Sequence, residues 1–146
     1  MIYTLDTNVV VDALRQPQEL DRLKAFLSWA LPSTVLSSIV AAELTAGARS
    51  EHARRVLSEA ILAPFDRRGR IVAPSVAAWR RIGVFFAQSG ATRLSASRQN
   101  DALLAAQARE AGWVILTHDR DFQELRRAIS GVQVVAPYPE RSGSTG

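Results

Sequence analysis

The sequence predicts an α/β fold of three layers, a central parallel sheet with helices on both faces. Short aliphatic runs such as IYTL and WVILT alternate with longer stretches of helical periodicity, the arrangement that parallel strands and their crossover helices require. The chain has 146 residues and 47% hydrophobic content, the length of one ordinary domain with a core that needs no staples. No internal repeat breaks the pattern.

Ile2 to Leu5 reads as a short buried strand, and Asn8 to Arg15 as a helix that stops before Pro17. Glu19 to Ala30 forms a second helix, because Leu20, Leu23, Phe26, Leu27 and Ala30 recur at helical spacing. Pro32 ends it. Thr34 to Leu36 is a strand, and Ser37 or Ser38 caps a helix over Ile39 to Ala48. A helix from Glu51 to Leu62, a minor strand at Arg70 to Ala73 and a helix from Ser75 to Gln88 follow. Ser89 to Arg98 is polar and reads as a loop. The helix Gln99 to Ala111 ends at Gly112, which suits a left-handed C-terminal cap. Trp113 to Thr117 is the second clear strand, Asp121 to Ile129 a short helix and Val132 to Val135 the last strand. The tail PYPERSGSTG has no means of burying anything, so residues 137–146 are expected to be disordered beyond a domain of residues 1–136.

Composition removes several classes of chemistry. The chain has no cysteine, which excludes disulfides, thiolate metal sites and cysteine nucleophiles, and its two histidines, His52 and His118, supply zinc poorly. No run approaches the roughly 18 apolar residues of a membrane helix, and the N-terminus has no basic leader, so a cytoplasmic protein is expected. The net charge is +4, with Lys24 the only lysine, and this arginine bias suits a bidentate anionic partner or reflects genome composition. The aromatic residues Phe26, Trp29, Trp79, Phe85 and Phe86 are available for core and interface alike.

Ligands of open parallel sheets bind outside the carboxyl ends of the strands. Asp6 follows IYTL there and Asp119 follows WVILT. Two further acids face inward by helical spacing: Glu43 shares a face with Ile39 and Val40, and Asp101 one with Leu104, Ala105 and Ala108. Glu19, Asp21, Glu51, Glu59, Glu110 and Glu124 sit on stretches where a solvated place is easily assigned. Taken singly, Asp6 and Asp119 would serve as helix caps, Asp101 as a first-turn acid favoured by the helix dipole, and Glu43 as the partner of a buried arginine. Taken together they repel. Two carboxylates about 4 Å apart cost roughly 4 kcal/mol at an effective dielectric near 20, so the group needs protonation or a hard cation such as Mg²⁺ or Mn²⁺. Such an all-oxygen site suits phosphoryl transfer. Arg67, Arg68 and Arg70 cluster in one loop, while Arg93 and Arg98 flank Asp101 and are the better candidates for gripping phosphate. His118 adjoins Asp119, but strand alternation turns its side chain away.

The segments LDTNVVVDALR, SSIVAAELTAGA, RQNDALLAAQA and ILTHDRDF, in this order, resemble the four signature blocks of PIN-domain ribonucleases, and among these the VapC-type toxins of bacterial toxin–antitoxin pairs. The resemblance implies a PIN-like α/β/α domain and an Mg²⁺- or Mn²⁺-dependent endoribonuclease. Asp6, Glu43, Asp101 and Asp119 fall on the family's metal-binding and catalytic acids. Thr7 or Asn8, together with Thr117, fall on polar positions that steady those carboxylates. Some relatives carry a further acid where this chain has Asn100; Asp121 either assists a metal indirectly or starts a helix. The likeness further implies structured RNA as substrate, transfer RNA foremost, a small VapB-like antitoxin that occupies or distorts the acid cleft, and a homodimer.

Rival readings fare worse on particular residues. A receiver-like phosphoacceptor would want a lysine after a late strand, and Lys24 lies in an early helix. A phosphatase of the haloacid dehalogenase type would want an aspartate where Asn8 stands. The non-enzymatic rival is an inert PIN-like regulatory module, in which the clustered acids would only destabilise.

Overall fold

The computed structural model describes residues 1–90, 95–120 and 122–143. Arg93 and Asp121, both singled out above, lie outside the described residues.

Five strands form one parallel sheet: β1 (Ile2–Leu5), β2 (Thr34–Ser37), β3 (Ile71–Val72), β4 (Trp113–Leu116) and β5 (Gln133–Val135). Their order is β3-β2-β1-β4-β5. This is the three-layer parallel architecture the sequence predicts. The helices are α1 (Thr7–Arg15), α2 (Pro17–Ala30), α3 (Ser38–Gly47), α4 (Glu51–Leu57), α5 (Ala63–Asp66), α6 (Val76–Ser89), α7 (Ala96–Ala111) and α8 (Phe122–Ala128). The chain steps from β1 to β2 to β3 in one direction, then returns across the sheet to β4 and β5. Right-handed crossovers therefore place α1–α5 on one face and α6–α8 on the other, in agreement with α1 packing on α2 and α3, and α7 on α6 and α8.

The centre of the sheet is the core. All of β4 is buried, as are Tyr3, Thr4 and Leu5 of β1, and each large aliphatic side chain so placed contributes about 1.5–3 kcal/mol relative to exposure. In α7 the run Ala102 to Ala108 is buried on every side. Its alanines let α7 approach closely both β4 and α6, at the expense of the amphipathic signal that marks a surface helix. Among the described residues, no helix is long and apolar enough to cross a membrane.

Three departures from the sequence expectation have local causes. The helix expected to end at Leu62 continues to Asp66 through a π-helical turn at 58–62; Pro64 cannot donate to the carbonyl one turn back, and the wide turn before it absorbs the missing bond. Helix α7 begins at Ala96, inside the predicted loop, because the Ser95 hydroxyl caps the Arg98 N–H at 3.2 Å. Tyr138, in the segment expected to bury nothing, packs its ring on Phe26 at 5.5 Å between centroids, with the Arg22 guanidinium 5.2 Å above it. Burial, with the Glu19 and Asp12 carboxylates adding to it, pushes the Tyr138 phenol up to about 12.

Candidate active site

Strand order reverses at β1, whose neighbours β2 and β4 are reached by crossovers on opposite faces, so a crevice opens at the carboxyl ends of β1 and β4. Leu5 and Leu116 are paired in register, so Asp6 and Thr117 emerge side by side, and the Asp6 N–H extends the ladder to the Leu116 carbonyl at 2.9 Å.

Asp6 is 5% exposed and fully engaged. It occupies the N-cap position of α1, where Oδ1 accepts the Thr7 N–H at 2.8 Å. Its other oxygen accepts the Thr117 hydroxyl at 2.8 Å and the Asn8 amide at 3.2 Å. The capping reading and the site reading of Asp6 thus use different oxygens. Asn8 also donates to Thr117 Oγ1 at 3.0 Å, while its own Oδ1 accepts the His118 N–H at 3.1 Å. Thr117 Oγ1 further accepts the Asp119 N–H at 3.0 Å, so one hydroxyl joins both strand-end acids. Glu43 reaches the group from α3, where its Oε1 accepts the Thr7 hydroxyl at 2.9 Å. Both Thr7 and Asn8 therefore have roles, Thr7 towards Glu43 and Asn8 towards Asp6.

Burial holds the Asp6 carboxyl above its usual range; Glu43 and Asp119 push the same way, while the Thr117 hydroxyl and the Thr7 N–H oppose. For a carboxylate with a raised folded pKa, the associated stability is present in acid and lost as pH rises through that pKa. Glu43→Gln removes one of the two repelling charges and keeps an oxygen for Thr7. We expect it to raise the melting temperature of the metal-free protein by about 3 °C at neutral pH, for roughly 1 kcal/mol of relieved repulsion. The gain should shrink as acidification protonates Asp6, which a pH series of thermal melts would read. A variant that melts below the wild type at every pH would make Glu43 a structural anchor.

Asp101 and Asp119 line an open cleft of about 660 Å³, together with Arg98, Glu124 and the apolar wall of Phe85 and Phe86. Asp101 enters from α7 on one face and Glu43 from α3 on the other, and the strand ends present Asp6 and Asp119 between them. Glu124, assigned above to a solvated stretch, is exposed yet faces this cleft. The available signal was its place in the first turn of α8, which starts at the same sheet edge. Arg70 instead donates to the Leu31 carbonyl, and Arg67, Arg68 and Arg70 precede β3, two strands away from β1 and Asp6. His118 turns away from the acids, its Nε2 lying 3.6 Å from Glu19 and 3.7 Å from Asp12. Glu19 is accordingly half-buried, and also pairs with Arg22 at 3.0 Å.

The PIN-domain profile matches residues 3–128. The chain belongs to the PIN-domain family. PIN domains are generally nucleases that use divalent metal ions. The PIN domain described here is similar over 94% of its length to 98% of a chain in FitAcB from Neisseria gonorrhoeae, at 28% identity and a TM-score of 0.65. It also shares its fold with DNA-bound VapBC from Salmonella typhimurium (23% identity, TM-score 0.69, 93% of this chain and 98% of that one). A toxin–antitoxin complex from Klebsiella pneumoniae has the fold as well (22%, TM-score 0.63, 94% and 99%). None of the curated proteins matches this PIN domain.

Among the described residues no three acidic or histidine side chains already stand close enough to form a metal-binding group. The chemistry nonetheless fits a hard cation: the donors are all carboxylate oxygens, Asp6 feels both Glu43 and Asp119, and the one nearby imidazole points elsewhere.

Proposed function

We propose that this PIN domain is the toxin of a VapC-type toxin–antitoxin pair, a divalent-metal-dependent endoribonuclease that cuts structured RNA to leave a 5′-phosphate and a 3′-hydroxyl. The observation that carries the reading is the buried carboxylate of Asp6, fixed by Thr7, Asn8 and Thr117 beside Glu43 and Asp119. Asp6, Glu43, Asp101 and Asp119 are the residues that would hold Mg²⁺ or Mn²⁺. Such an ion, when bound, supplies charge neutralisation and activation of water for attack on phosphorus.

The side chains have separable tasks in this reading. Asp6 is held rigidly by its two bonded oxygens, so it needs no reorganisation when substrate arrives. Thr117 ties Asp119 to Asp6 and keeps both at the strand ends. Arg98, on the cleft wall, offers a guanidinium to the RNA backbone. Phe85, Phe86 and Leu125 line the cleft together with the acids Asp101, Asp119 and Glu124, a surface suited to a basic, amphipathic antitoxin segment that would block the substrate's path. Such a VapB-like partner is proposed on the strength of the toxin–antitoxin complexes with which the fold is shared.

The deciding experiment is incubation of total RNA with purified, antitoxin-free protein in Mg²⁺ or Mn²⁺ and in EDTA, with the ends mapped by sequencing. Transfer RNA is the expected target. Discrete metal-dependent cuts support the nuclease; intact RNA in the presence of bound metal favours the inert regulatory module.

A homodimer is the proposed assembly. Helix α6 leaves Val76, Trp79 and Val84 exposed, Trp79 at 50%, an apolar face of the kind that oligomers cover. Trp79→Glu should shift the sedimenting species from dimer towards monomer; an unchanged wild-type dimer would move the interface elsewhere.

A further inference from the structure

Asp119 belongs to two hollows. One is the acid cleft with Arg98; the other is a groove of about 270 Å³ lined by Thr117, Asp119 and the end of β5 together with Arg22, His118 and Arg120. If phosphodiester cleavage occurs at the carboxylates, as proposed above, the nucleotides before and after the scissile bond must leave Asp119 in different directions. Both hollows begin there.

We propose that the second groove is the path of the single-stranded RNA backbone on the far side of the scissile bond, and that Arg120 is the residue that grips its phosphate. The inference rests on the nuclease reading and adds to it a positioning residue. Three observations distinguish Arg120 from its neighbours. Arg22 is already committed, paired with Glu19 at 3.0 Å, bonded to the Pro137 carbonyl at 3.5 Å and stacked over Tyr138. His118 faces Asp12 and Glu19. Arg120 is exposed on the groove wall and makes no ion pair among the described residues. Arg98 and Arg120 then flank Asp119 as two cationic posts, each compensating for the carboxylates that would otherwise repel the strand.

The test separates this assignment from the nuclease reading by measuring binding without cleavage. A fluorescein-labelled single-stranded oligouridylate is titrated with protein in EDTA across a series of NaCl concentrations, and affinity is read by anisotropy. Removing one phosphate contact on single-stranded RNA lowers the slope of log K against log salt by about 0.7. Arg120→Gln should show that drop and bind several-fold more weakly at low salt, with an unchanged melting temperature. Arg120→Lys should restore the slope, since a merely structural role would not follow charge. Arg67→Gln, in the turn before β3 and three strands from β4, should match the wild type. Wild-type binding and slope in Arg120→Gln would remove the groove from the path, as would failure of the wild-type protein to bind the oligouridylate. In either case the nuclease reading is judged separately, by metal-dependent cleavage of total RNA.

Discussion

Asp6→Asn should abolish RNA cleavage, by on the order of a thousandfold, in a protein that still folds. The size follows from the site's electrostatics: charge stabilisation at a phosphoryl centre is worth several kcal/mol, and each 1.4 kcal/mol is about a factor of ten in rate. The fold survives because an asparagine oxygen can still accept the Thr7 N–H that Oδ1 accepts now. The change falls on the other oxygen, which today receives the Thr117 hydroxyl and the Asn8 amide. An amide there presents a donor to two donors, so the Thr117 hydroxyl must turn away and the Asn8 contact must loosen. Loss of a repelled, buried charge offsets that strain, since Asp6 is the carboxyl whose pKa burial raises. Melting temperature and sequenced RNA ends, measured on the same preparation, check both halves. Cleavage equal to wild type would place the activity on other residues.

Thr117→Val should be the most destabilising single change near the site. The hydroxyl donates to Asp6 and accepts from Asn8 and the Asp119 N–H, all within 3.0 Å. Valine keeps the shape and the β-branch that suits a strand end, but takes one hydrogen bond from each of those groups, leaving Asp6 and Asn8 bonded to one another at 3.2 Å. A buried hydrogen bond lost in this way costs about 0.5–1.5 kcal/mol, and about 1.5–3 kcal/mol where one partner is charged. A total near 3 kcal/mol is expected, because water reaches the half-buried Asp119, and the melting temperature should fall by about 10 °C. Cleavage should fall by about 10–100-fold through misplacement of Asp6 and Asp119. Thr117→Ser, which retains the hydroxyl, should lose far less on both measures. A valine variant as stable and active as wild type would show that Asn8 alone positions Asp6.

Much of this is legible in the sequence alone. Apolar runs ending in an acid placed Asp6 and Asp119 at strand ends, because a parallel sheet puts every strand's carboxyl end on one edge. Helical periodicity put Glu43 and Asp101 on inward faces, and Gly112 marked the end of α7 through the left-handed conformation it adopts, with φ 73°. These are local signals, carried by neighbours within a turn or two. Glu124 and Glu19 were unreadable for the converse reason: their own helices offer them solvent, and it is the cleft beside Asp101 and the imidazole of His118 that decide their surroundings. Tyr138 lies in a polar tail and owes its burial to Phe26 and Arg22, more than a hundred residues away in sequence. The sequence by itself determined the layers and the sheet edge at which Asp6 and Asp119 stand. The tertiary structure alone decided which oxygen of Asp6 caps a helix and which meets Thr117, and that Asp119 stands between two hollows, because such choices depend on contacts between segments whose spacing no local pattern encodes.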